Sequence, residues 1–512
     1  MPAGAALSTL VPTDARLRAT AERMPDAAAL RWQDRSVTWA ELAAAAAAGA
    51  AGLRAHGVAP GDRVAVVLGN VPAFAEAWYA VLAADAVAVP VAPVLAPDEL
   101  RHVLADAGAV AAVVAPQVAA ALEGLRGELP DLALLVVAGR GGPEHLPTWA
   151  QLRDGDAPAV APTHGPDDLA ALVYTSGTTG RPRGAMLSHR NLAVNQDQSL
   201  AGRHRVVEGD VVLGVLPLFH VYGLNVVLGP AVAVGACVVL QERFDPEATA
   251  TLVAEEGVTV LPGAPPMYVA WAQAPPGDRL AGVRVCICGA APLPPHVAAL
   301  FEQATGHVVR EGYGLTEAGP SVTSSALGED VRPGSVGLPL PGVELRLVER
   351  GRDVEPGDPG EVWVRGENVF AGYWHDPQGT AAALTEDGWL RTGDVGVRDE
   401  DGWLRLVDRR TDLVLVSGFN VYPSEVERVL REHPAVLDAA VVGMPNPLTG
   451  AAVLAHVVRA PGTDPSEDEL VAHCAARLAR YKCPSSVRVL DELPRTVTGK
   501  VRRSELRAAG SA

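Results

Sequence analysis

Short runs of β-branched residues alternate along the chain with longer alanine- and leucine-rich stretches of helical spacing. The segments "DRVAVVL", "AVAVPVA" and "VRVCICG" have the length and composition of buried strands. Segments such as "AFAEAWYAVLAA" between them repeat apolar residues at helical intervals. Because parallel strands need helical crossovers, this alternation predicts an α/β fold with parallel sheets covered by helices.

The pattern changes near residue 340, where turn residues recur at short intervals. The segments "GVELRLV", "GEVWVRG" and "GWLRTGDVGVRDEDGWLRLVDR" predict a small antiparallel, barrel-like region. A fresh succession of helical and strand patterns follows "DRRTD". We therefore predict a large N-terminal domain over residues 1–408, with two parallel-type sheets and the barrel-like region, and a smaller α+β domain over residues 409–512.

Composition and charge narrow the class of protein. The 512 residues exceed the usual size of a single core, and a formal net charge of −18 disfavours nucleic acid or an anionic membrane as the main partner. No basic segment followed by an apolar one marks a signal peptide at the N-terminus. Five cysteines without a metal-binding spacing favour a reduced, cytoplasmic protein; they are Cys237, Cys286, Cys288, Cys474 and Cys483.

Two apolar runs raise the question of a membrane segment. The run Leu42–Leu53 is too short to span a bilayer and follows a capping box formed by Thr38 and Glu41. The run Val211–Leu240 has no formal charge and is long enough, but two prolines, a histidine and an asparagine interrupt it. We predict that it forms a buried strand, loop, helix and strand.

The loop "TSGTTGRPRG", which follows the strand-like "LAALV", combines glycines, hydroxyl side chains and arginines. Backbone N–H groups of a glycine-rich turn can converge on an anion, and the hydroxyls and arginines add donors. The segment lacks the Gly-Lys-Ser/Thr of a Walker A loop. Taken alone, it predicts a phosphate-binding loop, with a flexible surface loop as the alternative.

Three further clusters carry candidate chemistry. "GYGLTE" places Tyr313, Thr316 and Glu317 in one turn, where a carboxylate near phosphates would suit Mg²⁺; the alternative is an ordinary turn with a surface acid. "GWLRTGD" ends at Asp394, which could accept hydrogen bonds from a ribose or belong to a simple hairpin turn. "PRTVTGK" ends at Lys500, and an isolated lysine is usually solvated.

In this order and spacing, these segments together with "DRRTD" and "SGFNVYP" resemble the adenylate-forming superfamily. The likeness is strongest to its acyl-CoA synthetases, which act on fatty and aryl acids, and extends from "VTWAEL" to Lys500. It implies an enzyme that uses ATP, Mg²⁺ and coenzyme A. A carboxylic acid would first become an acyl-adenylate with release of pyrophosphate, and then a thioester with release of AMP.

The resemblance also implies roles for individual residues. The ATP phosphates would be bound by Thr175, Ser176, Gly177, Thr178, Thr179, Gly180 and Arg183. Adenine and ribose would be bound by Gly289, Ala290, Ala291, Tyr313, Gly314, Asp394 and Arg409. The catalytic residues would be Thr316 at the α-phosphate, Glu317 at Mg²⁺, His220 at the substrate carboxylate and Lys500 between carboxylate and α-phosphate. The acyl pocket would be lined by Phe219, His220, Gly263, Ala264 and Gly289. Without the resemblance, His220 would be interpreted as a core histidine.

The family's C-terminal domain is mobile and alternates between two orientations, which separates the two reactions. The matching hinge residues here are Arg410 and Thr411, and Gly418 and Phe419 would approach coenzyme A. Three positions depart from the family pattern, of which Ala451, where the family often has glutamate, has no evident consequence. Arg183 stands where the family's loop usually has lysine, and Thr411 stands where the hinge is usually charged.

Four functions are consistent with this pattern. The first expectation is an acyl-CoA synthetase for medium- or long-chain fatty acids, because the small residues Gly289, Ala290 and Ala291 allow a deep acyl pocket. The alternatives are an aryl-CoA ligase, a biosynthetic enzyme that passes the acyl group to a carrier protein or other nucleophile, and a non-catalytic nucleotide-binding protein. We expect a monomer or homodimer without an integral membrane segment.

Overall fold

The computed structural model describes residues 11–155, 157–175, 182–410, 412–416, 419–446, 448–495 and 501–510. The chain divides into two compact units. Unit 1 comprises the chain up to Gly289 with Leu293–Glu344 and Val364–Leu390, and unit 2 comprises Ala290–Pro292, Leu345–Trp363 and the chain from Arg391. The expected domain boundary near Asp408 to Asp412 stays a prediction.

The first half of unit 1 alternates strands with helices, as the apolar pattern predicts. Its strands are β1 Ala28–Trp32, β2 Arg35–Thr38, β3 Arg63–Val67, β4 Val87–Pro90, β5 Ala109–Val114, β6 Leu134–Val137, β7 Leu169–Thr175 and β8 Arg183–Ser188. Its helices are α1 Thr13–Arg23, α2 Trp39–Ala55, α3 Pro72–Ala83, α4 Pro97–Ala107, α5 Pro116–Leu125, α6 Trp149–Arg153 and α7 His189–Leu200.

The rest of unit 1 continues this alternation. Its strands are β9 Val211–Gly214, β10 Cys237–Leu240, β11 Val260–Gly263, β12 Val285–Cys288, β13 Val309–Gly314, β14 Ser321–Ser324 and β15 Leu338–Pro339. Its helices are α8 Gly229–Val234, α9 Pro246–Glu255, α10 Pro265–Gln273 and α11 Pro295–Thr305, with a π-helix at Gly223–Leu228. The run Val211–Leu240 thus forms strand, loop, helix and strand as predicted, and none of the described helices is long and apolar enough to cross a bilayer.

Two sheets form the core of unit 1. The first has six strands in the order β6-β5-β3-β4-β7-β8, all parallel except the final β7–β8 pair. The second has nine strands in the order β15-β14-β13-β12-β11-β9-β10-β1-β2, of which β13-β12-β11-β9-β10-β1 are parallel. Valine, leucine and alanine fill the strands, which are buried on both faces as parallel strands usually are.

The remaining strands form two smaller sheets. The first is a five-stranded sheet in the order β17-β16-β18-β19-β20. Its strands are β16 Glu344–Glu349, β17 Arg352–Asp353, β18 Pro359–Arg365, β19 Leu390–Arg398 and β20 Leu404–Arg409, and α12, Pro377–Ala383, lies in the unit 1 segment between β18 and β19. The second sheet belongs to the C-terminal residues and consists of β21 Val414–Val416, β22 Phe419–Val421, β23 Val436–Asn446, β24 Gly450–Arg459 and β25 Ser486–Leu490, with helices α13 Pro423–Arg431, α14 Glu467–Ala475 and α15 Arg503–Gly510.

These elements confirm the predicted fold class. The capping box of α2 is present, because Thr38 Oγ1 accepts the Glu41 N–H while the Glu41 carboxylate accepts the Thr38 N–H. Cys286 and Cys288 lie on a buried strand, β12, as their alternation indicates. All five cysteines are free thiols.

Candidate active site

The ends of the glycine-rich loop are held by paired strands. Thr175 ends β7 opposite Arg183, which begins β8, so the two ends of the loop lie side by side. Helix α4 contacts both ends: the Tyr174 hydroxyl donates to Asp106 Oδ2 at 2.5 Å, and His102 Nε2 lies 3.3 Å from the Pro182 carbonyl oxygen. The predicted phosphate ligands Ser176, Gly177, Thr178, Thr179 and Gly180 lie outside the described residues.

The "YGLTE" segment forms the end of β13 and a turn of 3₁₀ helix, Thr316–Ala318. Gly314 allows close packing there, because a Cβ at this position would lie 2.2 Å from the Pro320 carbonyl oxygen. Tyr313 and Thr316 are buried, while the Glu317 carboxylate is half-buried. The Tyr373 hydroxyl donates to Glu317 Oε1 at 2.7 Å.

Arg183 is also fixed by the segment that follows β18. Its guanidinium lies 3.9 Å from the centre of the Tyr373 ring, and its Nη1 lies 3.4 Å from Asp376 Oδ2. Unit 1 therefore brings together Arg183, a predicted phosphate ligand, and Glu317, the predicted Mg²⁺ ligand, through contacts with one tyrosine. Tyr373 and Asp376 were absent from the sequence prediction. The aromatic residues of "GYWHDP" mark the segment, but no pattern in the sequence shows which strand it contacts.

The predicted acyl-pocket residues lie at the carboxyl ends of neighbouring strands. Gly263 ends β11, and Gly289 follows β12, the strand with which β11 pairs in parallel. His220 lies before the π-helix, and its Nδ1 accepts the backbone N–H of Tyr222 at 3.2 Å. Burial lowers the pKa of His220 to about 4, so the ring is neutral near pH 7 and carries its proton on Nε2.

A tyrosine that sequence reasoning did not single out fills the space beside these glycines. A Cβ on Gly289 would lie 3.0 Å from the Tyr222 ring, which shows how closely the ring covers the glycine. The Tyr222 hydroxyl donates to the Gly263 carbonyl oxygen at 3.4 Å. Burial raises the pKa of Tyr222 far above the neutral range, so the hydroxyl keeps its proton. The absence of a side chain at Gly289 therefore accommodates an aromatic ring of the protein itself.

The structure also describes four more of the predicted residues, Phe219 and Ala264 in unit 1 and Ala290 and Ala291 in unit 2. Phe219 and Ala264 are both half-buried. Ala290 has φ of +72°, a left-handed conformation that residues other than glycine rarely adopt. Such strain is often found at ligand-binding turns. Ala291 is half-buried.

Unit 2 brings together the two predicted ribose ligands. Asp394 on β19 faces Arg409 on β20 in the strand register, and Arg409 Nε lies 3.2 Å from Asp394 Oδ1. The predicted hinge residue Arg410 donates to Glu361 Oε2 at 2.6 Å, and its N–H donates to the Gly393 carbonyl oxygen. The other hinge residue, Thr411, lies outside the described residues.

Of the residues predicted at coenzyme A, the structure describes Phe419. Its side chain is 56% exposed and stacks on Tyr481, with ring centres 4.8 Å apart. Gly418 and the predicted catalytic residue Lys500 lie outside the described residues.

Another polar cluster, in unit 1, contains none of the predicted site residues. His164 lies between two carboxylates, with Nε2 3.1 Å from Asp14 Oδ1 and Nδ1 2.9 Å from Asp85 Oδ1, and it stacks on His189 at 3.8 Å with nearly parallel rings. A metal ion binds imidazole nitrogen in the plane of the ring, so it could not bind both rings without their reorientation. Arg18 also contacts Asp14 at 2.6 Å. The arrangement instead suits a protonated His164 held by two carboxylates.

The parallel sheets of unit 1, the carboxylate turn beside Arg183 and the small residues at the carboxyl ends of β11 and β12 are typical of α/β enzymes that bind ligands at this edge of a sheet. Comparison with known proteins agrees with this class. The model of the AMP-binding enzyme family matches residues 17–374, and that of the AMP-binding enzyme C-terminal domain matches residues 425–500.

Individual relatives match over long stretches. Feruloyl-CoA synthase of Amycolatopsis sp is 39% identical over 507 residues, which cover 95% of this chain and 96% of the relative. A long-chain-fatty-acid–CoA ligase of Bacillus subtilis is 39% identical over 354 residues, which cover 68% of this chain and 62% of that protein. The crystal structure of ATP-bound MatB from Rhodopseudomonas palustris aligns with a TM-score of 0.91 at 34% identity, covering 98% of this chain and 99% of MatB.

The chain belongs to the AMP-binding enzyme family, in its acyl-CoA ligase branch. It is an ATP-dependent, AMP-forming acid–thiol ligase whose substrates are a small-molecule carboxylic acid and coenzyme A. These findings confirm the predicted superfamily, fold class and reaction. The roles of individual residues stay predictions.

Proposed function

We propose that the preferred acid is compact and aromatic, and that a medium- or long-chain fatty acid is the poorer substrate. The observation that carries this proposal is the position of Tyr222, whose ring covers Gly289 and whose hydroxyl bonds to Gly263. A long alkyl chain would need the volume that this ring occupies. A flat aromatic acid would instead pack against the ring, since aromatic pairs gain stability beyond the area they bury.

Feruloyl-CoA synthase, by its name an enzyme of an aromatic acid, supports this choice because nearly its whole length matches. The Bacillus ligase, named for long-chain fatty acids, supports the alternative over a shorter match. The depth of the acyl pocket therefore decides whether an aromatic acid or a long-chain fatty acid is the better substrate.

We assign the first reaction to residues of unit 1 and to Lys500. In this reaction a carboxylate oxygen bonds to the α-phosphorus while the bond to the pyrophosphate leaving group breaks. Arg183 and the glycine-rich loop would hold the β- and γ-phosphates, Thr316 would donate to the α-phosphate, and Lys500 would neutralise charge between carboxylate and phosphate. Neutral His220 would lie at the carboxylate end of the acid, where it adds no competing charge.

Glu317 is the residue that we propose as the Mg²⁺ ligand. The fit is good, because a half-buried carboxylate offers oxygen, the donor that Mg²⁺ prefers, and the hydrogen bond from Tyr373 occupies only Oε1. When bound, the ion would offset negative charge on the phosphates.

In unit 2, the Asp394 carboxylate and Arg409 would bind the ribose, and Phe419 would lie along coenzyme A in the second reaction. There the thiol sulfur attacks the acyl carbonyl and AMP leaves. Rotation of the C-terminal domain at Arg410 and Thr411 would exchange Lys500 for Gly418 and Phe419. A monomer or homodimer with a cytoplasmic location, and a carrier protein as an alternative acceptor, stay proposals.

The test is AMP release with a panel of hydroxycinnamic, benzoic, octanoic and palmitic acids, with and without coenzyme A. We expect the aromatic acids to give the highest kcat/KM, and release to depend on coenzyme A. Tyr222→Ala should open ~100 Å³, room for about four methylene groups, and raise kcat/KM for octanoate at least tenfold. Tyr222→Phe keeps the ring and is the matched control. A wild-type enzyme that prefers palmitate would contradict the proposal.

A further inference from the structure

The segment Phe370–Trp374 lies between β8, which begins with Arg183, and the turn Thr316–Ala318, which contains Glu317. Its backbone forms hydrogen bonds to both. On one side the N–H of Trp374 donates to the Gly184 carbonyl oxygen at 2.8 Å, and further bonds join the segment to Met186. On the other side the N–H of Phe370 donates to the Glu317 carbonyl oxygen at 2.9 Å. Backbone hydrogen bonds on both sides fix the position of this segment relative to Arg183 and Glu317.

Within this segment, the side chain of Tyr373 contacts both Arg183 and Glu317. It is 7% exposed, and its N–H donates to Thr380 Oγ1 at 2.8 Å. Gly372 precedes it with φ of +129°, and a Cβ there would lie 2.6 Å from Thr380 Cγ2. The backbone at this point therefore requires glycine and fixes the direction of the tyrosine ring.

The hydroxyl of Tyr373 selects one oxygen of Glu317. Because an ionised carboxylate can only accept hydrogen bonds, the Tyr373 hydroxyl donates to Glu317 Oε1, at 2.7 Å. Oε2 stays available to bind a cation. The bond thus limits the rotation of the carboxylate group.

The ring face of Tyr373 orients Arg183. A guanidinium 3.9 Å from the ring centre makes a cation–π contact, and Asp376 Oδ2 lies 3.4 Å from Nη1. Asp376 is itself fixed, because its Oδ1 accepts the Gly379 N–H at 2.7 Å at the start of α12. A planar guanidinium can stack and pair at once, whereas an ammonium is a point charge. These contacts give a physical reason for arginine at a position where lysine is usual.

We propose that Tyr373 is a positioning residue that holds Arg183 and Glu317 at a fixed separation, so that both act on the same triphosphate. This inference rests on the proposed function, which assigns Arg183 to the phosphates and Glu317 to Mg²⁺. Tyr373 contacts neither reacting atom; it acts through the two residues that it orients. Its loss should therefore change the Mg²⁺ dependence and the ATP affinity, while leaving the KM for the acid unchanged.

The test compares Tyr373→Phe with wild type by calorimetric titration of ATP at several Mg²⁺ concentrations, without acid. Tyr373→Phe removes the hydroxyl and keeps the ring, so we expect the half-saturating Mg²⁺ concentration to rise about tenfold. The matched control is Tyr79→Phe, because Tyr79 is buried in α3 and its hydroxyl finds no hydrogen-bond partner among the described residues. The control should titrate like wild type.

A second pair of variants examines the ring face. Arg183→Lys keeps the charge and loses the stacking, so we expect ATP affinity to fall about fivefold in the wild-type background. In a Tyr373→Leu background the same change should cost little, because the ring is already absent. Equal losses in both backgrounds would show that Tyr373 does not orient Arg183 and would overturn the proposal.

The outcomes separate this inference from the proposed function. If Tyr373→Phe and the Tyr79→Phe control both match wild type in the Mg²⁺ titration, Tyr373 does not position Glu317, whichever acid the enzyme uses. If wild type binds ATP with Mg²⁺ but prefers fatty acids, the proposed substrate is wrong while a shifted titration in Tyr373→Phe still supports the positioning role.

Discussion

Replacing Glu311 by glutamine should stabilise the protein, and the gain should depend on pH. Glu311 lies on β13, is 7% exposed, and accepts the Leu293 N–H through Oε2 at 3.2 Å. Burial raises the pKa of its carboxyl to about 7, although the bond from Leu293 acts in the opposite direction. An acid whose pKa is higher in the folded state costs stability once the pH is above the pKa of the unfolded chain.

The size of the effect follows from this pKa. The rise from 4.5 to about 7 corresponds to a cost of about 3 kcal/mol at pH 8, where both states are ionised. At pH 5 the folded carboxyl is protonated, and the cost is below about 1 kcal/mol. Because glutamine stays neutral and its side-chain oxygen can still accept the Leu293 N–H, Glu311→Gln should recover this cost.

The assay is urea unfolding followed by tryptophan fluorescence at pH 5 and pH 8. Seven of the nine tryptophans belong to unit 1, which also contains Glu311, so the signal reports mainly on that unit. Glu302→Gln on the exposed face of α11 is the matched control and should show no such pH-dependent gain. The reasoning is refuted if Glu311→Gln is less stable than wild type at pH 8, or if its advantage is the same at both pH values.

Two further predictions concern ion pairs. Burial lowers the pKa of His164, but its two carboxylate partners outweigh this effect and raise the pKa. The charged histidine therefore stabilises the folded protein fully below about pH 6.5, and this stabilisation is lost as the pH rises through the pKa of the folded state. The melting temperature of His164→Gln should differ from that of wild type more at pH 6 than at pH 9. In unit 2, Asp412 binds Arg507 at 2.6 Å and lies 3.8 Å from Arg503, and both arginines belong to α15. Asp412→Ala should destabilise this helix by about 2 kcal/mol, measured as faster hydrogen exchange of residues 503–510. Unchanged exchange would contradict this prediction.

The elements of the fold follow from the sequence because their signals are local. The capping box at Thr38 and Glu41 needs only four consecutive residues, and the buried strand at Cys286 and Cys288 needs only an apolar run with β-branched neighbours. The start of the glycine-rich loop also follows, since the strand-like "LAALV" that precedes it belongs to β7. Local patterns of this kind are what periodicity and capping rules detect.

The depth of the acyl pocket could not be obtained in this way. Gly289 is small in the sequence, which indicates open space, but the space is occupied by Tyr222 from a distant part of the chain. Whether a glycine makes room for a ligand or for another side chain depends on tertiary packing, which no local pattern encodes. The same limit applies to Tyr373 and Glu317, which are 56 residues apart in sequence and share a hydrogen bond.

Arg183 shows how a departure from a family pattern can be understood once its surroundings are known. Its partner Asp376 is 193 residues away in sequence, so neither residue predicts the other. An arginine beside an acid alone would be partly neutralised and a weaker phosphate ligand. Stacking on Tyr373 fixes one face of the guanidinium, and Asp376 engages Nη1 on one edge. The planar fork has further N–H groups with which to donate to an anion while its flat face stays on the Tyr373 ring, and a lysine ammonium has no such face to stack.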